Sequence, residues 1–222
     1  MNREGVLGLL EKSGLPGELK DYLAAALRGR APSSLRARLK KSPAEFIAGA
    51  ERLFSEAGAI LGLPAEEALR AGGFDAANKA PGRLEAALAE LRAVVFLRDS
   101  GYGELAFINR GTGRTADLYG VKKGEGAVFE VCCLKEGCTS FSVKLLALKF
   151  DRKICQVNAS RKKTGCVRGG LFFVASPADF GVSGAPARLE VLAREVYEAK
   201  GRRPFTSICL ISGGLCAAYP AL

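Results

Sequence analysis

Two acids face each other across a predicted β-hairpin. Asp117 lies in TADLYGV (115–121) and Glu130 in GAVFEVCCL (126–134), and the turn KKGEG joins them. Side chains alternate along a strand, so Thr115, Asp117 and Tyr119 share one face, as do Val128, Glu130 and Cys132. Phe129, Val131 and Cys133 take the opposite face. Pairing the strands brings Asp117 toward Glu130. Two carboxylates within about 4–6 Å repel each other, and burial adds to that cost. A divalent cation between them removes it. Mg²⁺ prefers hard oxygen donors and keeps several waters, so two carboxylates with water and a substrate phosphate would suit it.

The elements that would position these acids can be read from periodicity. GRLEAALAELRAVVFLRDSG is an amphipathic helix with Leu84, Leu88, Leu91 and Val95 on one side. ELAFIN is a short strand, followed by the two hairpin strands. A helix falls within 142–163, and Gly165 suits its end. GGLFFVAS is a continuous apolar strand of the kind buried on both faces. APARLEVLAREVYEAKG is a helix opened by Pro186 and closed by Gly201. PFTSICLIS reads as the last strand, and the apolar C-terminus reads as buried strand, turn and second apolar segment. The order α-β-β-β-α-β-α-β predicts an α/β fold, a mixed β-sheet flanked by helices, over 81–222.

An acid on the second strand, an acid followed two residues later by the lysine position on the third, and an α-βββ-αβ core together resemble the PD-(D/E)XK nuclease superfamily. Restriction enzymes, Holliday-junction resolvases and repair nucleases belong to it. The resemblance covers roughly 81–212 and implies a restriction-endonuclease-like fold. It implies Asp117 and Glu130 as ligands of Mg²⁺ or Mn²⁺, with the Val131 carbonyl as a further one. The metal would activate water and stabilise charge on the scissile phosphate. Two positions depart from the pattern. Ala116 replaces the proline before the first acid, and Cys132 stands where the family has its lysine. A thiol cannot supply that positive charge.

The next helix offers a substitute. Lys149, Lys153, Gln156, Ser160 and Lys163 form one polar stripe beside an apolar row of Leu146, Phe150, Ile154 and Val157. Such a stripe equally suits the solvated side of a helix. In some members of the superfamily the lysine has moved to this helix, and a glutamine there is frequent. The resemblance therefore implies Lys153, then Lys149, with Gln156, as catalytic residues. Some members also use an acid from the helix at 83–98. Of Glu85 and Glu90, Glu90 lies on the less apolar side and reads as an exposed charge.

Charge is unevenly distributed. The net charge is +10, with +2 over residues 1–80 and +8 over 81–222, which favours a polyanionic partner. Residues 144–168 alone carry +7. Arg161, Lys162, Lys163 and Arg168, with Lys122 and Lys123 of the turn, are candidate phosphate contacts. Few aromatic residues accompany them, so base stacking is not indicated. The expected partner is nucleic acid, DNA rather than RNA. The alternative is a nuclease fold that has lost catalysis and binds nucleic acid or a partner protein. A structural role in a larger assembly is a third reading.

Several classes are excluded. The chain has no histidine, which removes Ser-His-Asp triads, His-Cys pairs and histidine metal ligands. The seven cysteines contain no C-x-x-C pair and read as free thiols in a reducing cytoplasm. GYGELAFINRGTGR matches neither nucleotide-binding glycine motif. The N-terminal apolar run is too short for a signal peptide, and glycines and Pro220 interrupt the uncharged C-terminus, so no membrane association is expected. Residues 1–80 read as a set of short helices, an all-α N-terminal region bounded by Gly72-Gly73 and Pro81-Gly82. They suit a docking module, and RGRAPSSLRARLKK a lesser DNA grip. Homodimers are frequent in folds of this type.

Overall fold

The computed structural model describes residues 2–29, 34–78, 80, 82–108, 115–134, 141–181 and 186–222. Pro81, Cys138, Arg30–Ser33 of the basic N-terminal stretch and 109–114 of the glycine-containing segment lie outside them. Five helices come first: α1 (Arg3–Lys12), α2 (Gly17–Arg28), α3 (Ser34–Lys41), α4 (Pro43–Leu61) and α5 (Ala65–Ala71). The stripe of Leu19, Leu23 and Leu27 on α2 is buried, as its helical spacing requires. In α4, Pro43 occupies the first turn and Gly62 closes the helix in the left-handed conformation.

The remaining elements are α6 (Arg83–Asp99), β1 (Gly103–Phe107), β2 (Leu118–Lys122), β3 (Glu125–Cys133), α7 (Val143–Thr164), β4 (Arg168–Ala175), α8 (Pro186–Ala199), β5 (Thr206–Ser212) and β6 (Leu215–Tyr219). They form the expected mixed α/β architecture with helices flanking a sheet. The sheet is ordered β1-β2-β3-β4-β5-β6. Its centre, β3-β4-β5, is parallel; β2 and β6 pair antiparallel to the two sides of that centre, and β1 pairs antiparallel to β2. PFTSICLIS is thus not the last strand: Gly213 and Gly214 turn the chain so that β6 pairs back onto β5.

Two apolar layers cover the sheet. Phe129, Val131, Phe172, Val174, Cys209 and Ile211 pack with α6 and the N-terminal helices in one core. Val128, Cys132, Leu171, Phe173, Ile208 and Leu210 pack with α7 and α8 in the other. The run LFFV of β4 is completely buried, as a strand covered on both faces must be. Each such side chain contributes roughly 1.5–3 kcal/mol. A Cβ on Gly169 would stand 2.7 Å from Val157 Cγ1 and 2.8 Å from the Val128 carbonyl oxygen. This glycine therefore lets α7 approach the sheet closely, which sets the reach of its polar side chains. No helix of the described residues is long and apolar enough to cross a membrane.

Candidate functional site

The register of β2 on β3, with Leu118 opposite Phe129, places Asp117 opposite Glu130 one step further on. The strand itself begins later than expected. Thr115, Ala116 and Asp117 precede β2 rather than belonging to it, and α7 takes up the backbone of the first two. Gln156 Nε2 donates to the Thr115 carbonyl at 3.2 Å, and the Ala116 amide donates to Ser160 Oγ at 2.7 Å. Asp117 is held from both sides: its amide donates to the Phe129 carbonyl, and its carbonyl accepts from the Ile108 amide, both at 2.9 Å. Its Oδ2 also accepts from the Val131 amide at 2.8 Å, so the side chain caps a β3 donor that a regular ladder would pair with backbone.

Glu130 is 1% exposed. Burial raises its pKa to about 7, and the charge of Asp117 adds to the rise, while Lys153 opposes it. Lys153 Nζ lies 2.6 Å from Glu130 Oε1, and Gln156 Nε2 donates to Oε2 at 3.2 Å. Burial acts to lower the Lys153 pKa, but the hydrogen bond and charge of Glu130 outweigh it, so the ammonium is held above its ordinary range. Lys153 keeps a third of its side chain in solvent. The stripe on α7 thus faces the acids along its middle turns and water beyond them. Lys149 lies by Cys132, where its charge acts on the thiol. Burial raises the Cys132 pKa, so the side chain two residues after Glu130 is a neutral thiol.

Other candidates are scattered. Lys122 donates to the carbonyls of Ser100 at 2.7 Å and Leu222 at 2.5 Å, which anchors the turn to the C-terminus. Lys123 is exposed at the turn with φ +52°. Lys162 and Lys163 are exposed on the last turn of α7, Arg161 donates to the Cys166 carbonyl at 3.4 Å, and Arg168 pairs with Glu125 at 2.8 Å.

One expectation is corrected. Glu90 is not an exposed charge: it is 6% exposed, as is Glu85, because the N-terminal helices and the sheet enclose α6 on both sides. Both acids act on Cys133, which lies on the sheet face opposite the Asp117–Glu130 pair. Ser160, legible only as one member of the polar stripe, holds the backbone beside Asp117.

The donor set fits a small hard cation. Asp117 and Glu130 offer carboxylate oxygens, and the Val131 carbonyl is the adjoining backbone oxygen on β3. Among the described residues, no group of three or more His, Cys, Asp or Glu side chains could hold a metal. Two carboxylates suffice for Mg²⁺, which retains most of its water, but not for a cation that needs a full protein cage. No family model, curated protein or solved structure matches this chain.

Proposed function

We propose that the protein is a metal-dependent nuclease of the PD-(D/E)XK type, acting on DNA in preference to RNA. The observation that carries this reading is the meeting of Asp117, Glu130 and Lys153, drawn from two neighbouring chain segments and the crossing helix. Glu130 and Asp117 would hold Mg²⁺ or Mn²⁺ with the Val131 carbonyl, and the bound ion would supply a water of lowered pKa and stabilise phosphate charge. Lys153 brings the positive charge that Cys132 lacks, to a carboxylate oxygen beside the reacting phosphate. Gln156 orients the second oxygen of Glu130 and ties it to Thr115. Lys162, Lys163 and Arg168 would contact backbone phosphates in a cytoplasmic protein.

A structural account of the same residues exists: Lys153 could simply neutralise a buried glutamate. It does not explain why a second acid lies against the first, since once Glu130 ionises, above about pH 7, one lysine leaves the trio with net negative charge. The test is hydrolysis of plasmid and single-stranded DNA with Mg²⁺, Mn²⁺ or EDTA, beside Asp117→Ala. Cutting by the wild type that needs metal and falls at least ~10³-fold in the variant is expected. Equal traces of cutting from both proteins would sink the reading. Salt-sensitive binding without cleavage would point to the inactive binder instead, for which Cys132 is the favouring feature.

A further inference from the structure

Phe205 is an anomaly of the surface. It precedes β5, the residue is 55% exposed, and its backbone has φ +64°. That conformation is unfavourable for a bulky residue and persists only where the surroundings impose it. Here the Phe205 carbonyl accepts from the Gly169 amide at 2.9 Å, which pins the strained residue beside Arg168. The ring borders an open cavity of about 360 Å³, within the size range of small-molecule clefts. Tyr119, Gly126, Cys166 and Arg168 line the same space. A Cβ on Gly126 would come within 3.0 Å of Cys166 Sγ and 3.1 Å of the Tyr119 hydroxyl, so the absent side chain keeps this floor open. A smaller cavity shares Arg168 and Phe205 and extends the groove toward the C-terminus.

The groove lies at the end of the sheet where β3 and β4 begin: Tyr119 and Gly126 share the face of the acid pair, and Glu125 and Arg168 alternate to the other. Tyr119 shares its face with Asp117 two residues away, about 7 Å along the chain, and Gly126 is four residues from Glu130, about 13 Å. Stacked nucleotides advance about 3.4 Å each, so the groove lies a few nucleotides from the acids. Arg168 offsets Glu125, the acid lining this cavity, and Lys162 and Lys163 are exposed on the last turn of α7, whose final residue Thr164 lines it. Cations on a last helical turn also complement the helix dipole, so their charge alone does not single out nucleic acid. An exposed ring held in a strained conformation beside Arg168 supplies a stacking surface that the basic segment's own sequence lacks. We propose that this groove receives an unpaired base of a single-stranded nucleic-acid segment, stacked on Phe205, with its flanking phosphates toward Lys162 and Lys163. The proposal rests on the nuclease reading only for its orientation: the base would enter a few nucleotides from the cut.

Fluorescence anisotropy in EDTA reads this binding without turnover, using a labelled oligothymidylate and a duplex of the same length. Phe205→Gly removes the ring and relieves the positive φ, so its melting temperature should hold or rise. Its affinity for the single strand should fall roughly 5- to 150-fold, with much less change for the duplex. Phe205→Tyr should retain the wild-type affinity. Equal single-strand affinities for wild type and Phe205→Gly would overturn the proposal. So would a drop in melting temperature that parallels the loss of binding, since the ring would then be part of the core. A Phe205→Gly effect that survives failure of the Asp117→Ala hydrolysis test would uphold the groove and remove only the nuclease reading.

Discussion

The two faces of the sheet bury charge in opposite ways. On one, α6 is enclosed by the N-terminal helices and the sheet, and Glu85, Glu90 and Arg92 are all under 10% exposed. Arg92 donates to the backbone carbonyls of Gly213 and Asp179 and lies 4.6 Å from the Phe180 ring centroid. Burial pushes its pKa down to about 10. On the other face, α7 buries an apolar row but leaves its polar row at the margin of solvent. There Lys153 meets a buried acid while a third of it stays wet. A charge that satisfies backbone carbonyls fixes loops in place. A charge that meets another titratable group at a water-accessible margin can change partners, which is what a chemical site requires.

The contrast makes separable predictions. Under the proposed function, the largest effect after loss of Asp117 falls on Lys153. Lys153→Met should lower metal-dependent hydrolysis by about 10²–10³-fold, as does removal of one preorganised transition-state donor elsewhere. Lys149→Met, beside the Cys132 thiol, should cost less than about tenfold on the same scale. Single-turnover cleavage assays check both. If the two variants are equally impaired, Lys153 has no special place and its contact with Glu130 is structural.

Arg92 should behave conversely. Arg92→Met leaves two buried carbonyls without their donor and should destabilise the fold by about 3–5 kcal/mol. For a chain of this size that lowers the melting temperature by about 6–20 °C. Hydrolysis per folded molecule should be unchanged at low temperature. A rate loss without a stability loss would erase the distinction between the faces.

Much of this arrangement is legible in the sequence, and the illegible parts share a cause. The hairpin, the alternation along β3 and the apolar row of α7 follow from periods of about 2 and 3.6 residues, which local sterics impose. The convergence of Asp117 and Glu130 follows from strand pairing, and the reach of Lys153 from its place on the stripe. Glu90 reads as exposed because helical period reports one buried side, and only the docking of residues 1–80 reveals that α6 has two. The backbone of Thr115 and Ala116, outside the strand, is taken up by Gln156 and Ser160, some forty residues distant. Phe205 looks like an ordinary strand-leading aromatic. Its exposure and positive φ come from the turn at Arg202–Phe205 and the Gly169 contact, which no local pattern encodes.

The smallest of these effects probes the acid pair without any turnover. A carboxyl with a pKa near 4.5 when unfolded and about 7 when folded binds its proton more tightly in the native state. Its contribution to stability is complete below about pH 4.5 and is lost as the pH rises through about 7, where a buried acid must ionise beside Asp117. Glu130→Gln has no such proton, so the wild type should gain on the variant as the pH falls from about 8 to about 5, by on the order of 1–3 kcal/mol. Thermal melts of both proteins across that range measure the difference, with all other carboxylates cancelling in the comparison. Parallel curves would mean that Glu130 ionises as an ordinary surface acid and that the pair does not exist in solution. Mg²⁺ sharpens the result, because a cation that needs the ionised carboxylate should stabilise the wild type most at high pH and leave Glu130→Gln unmoved.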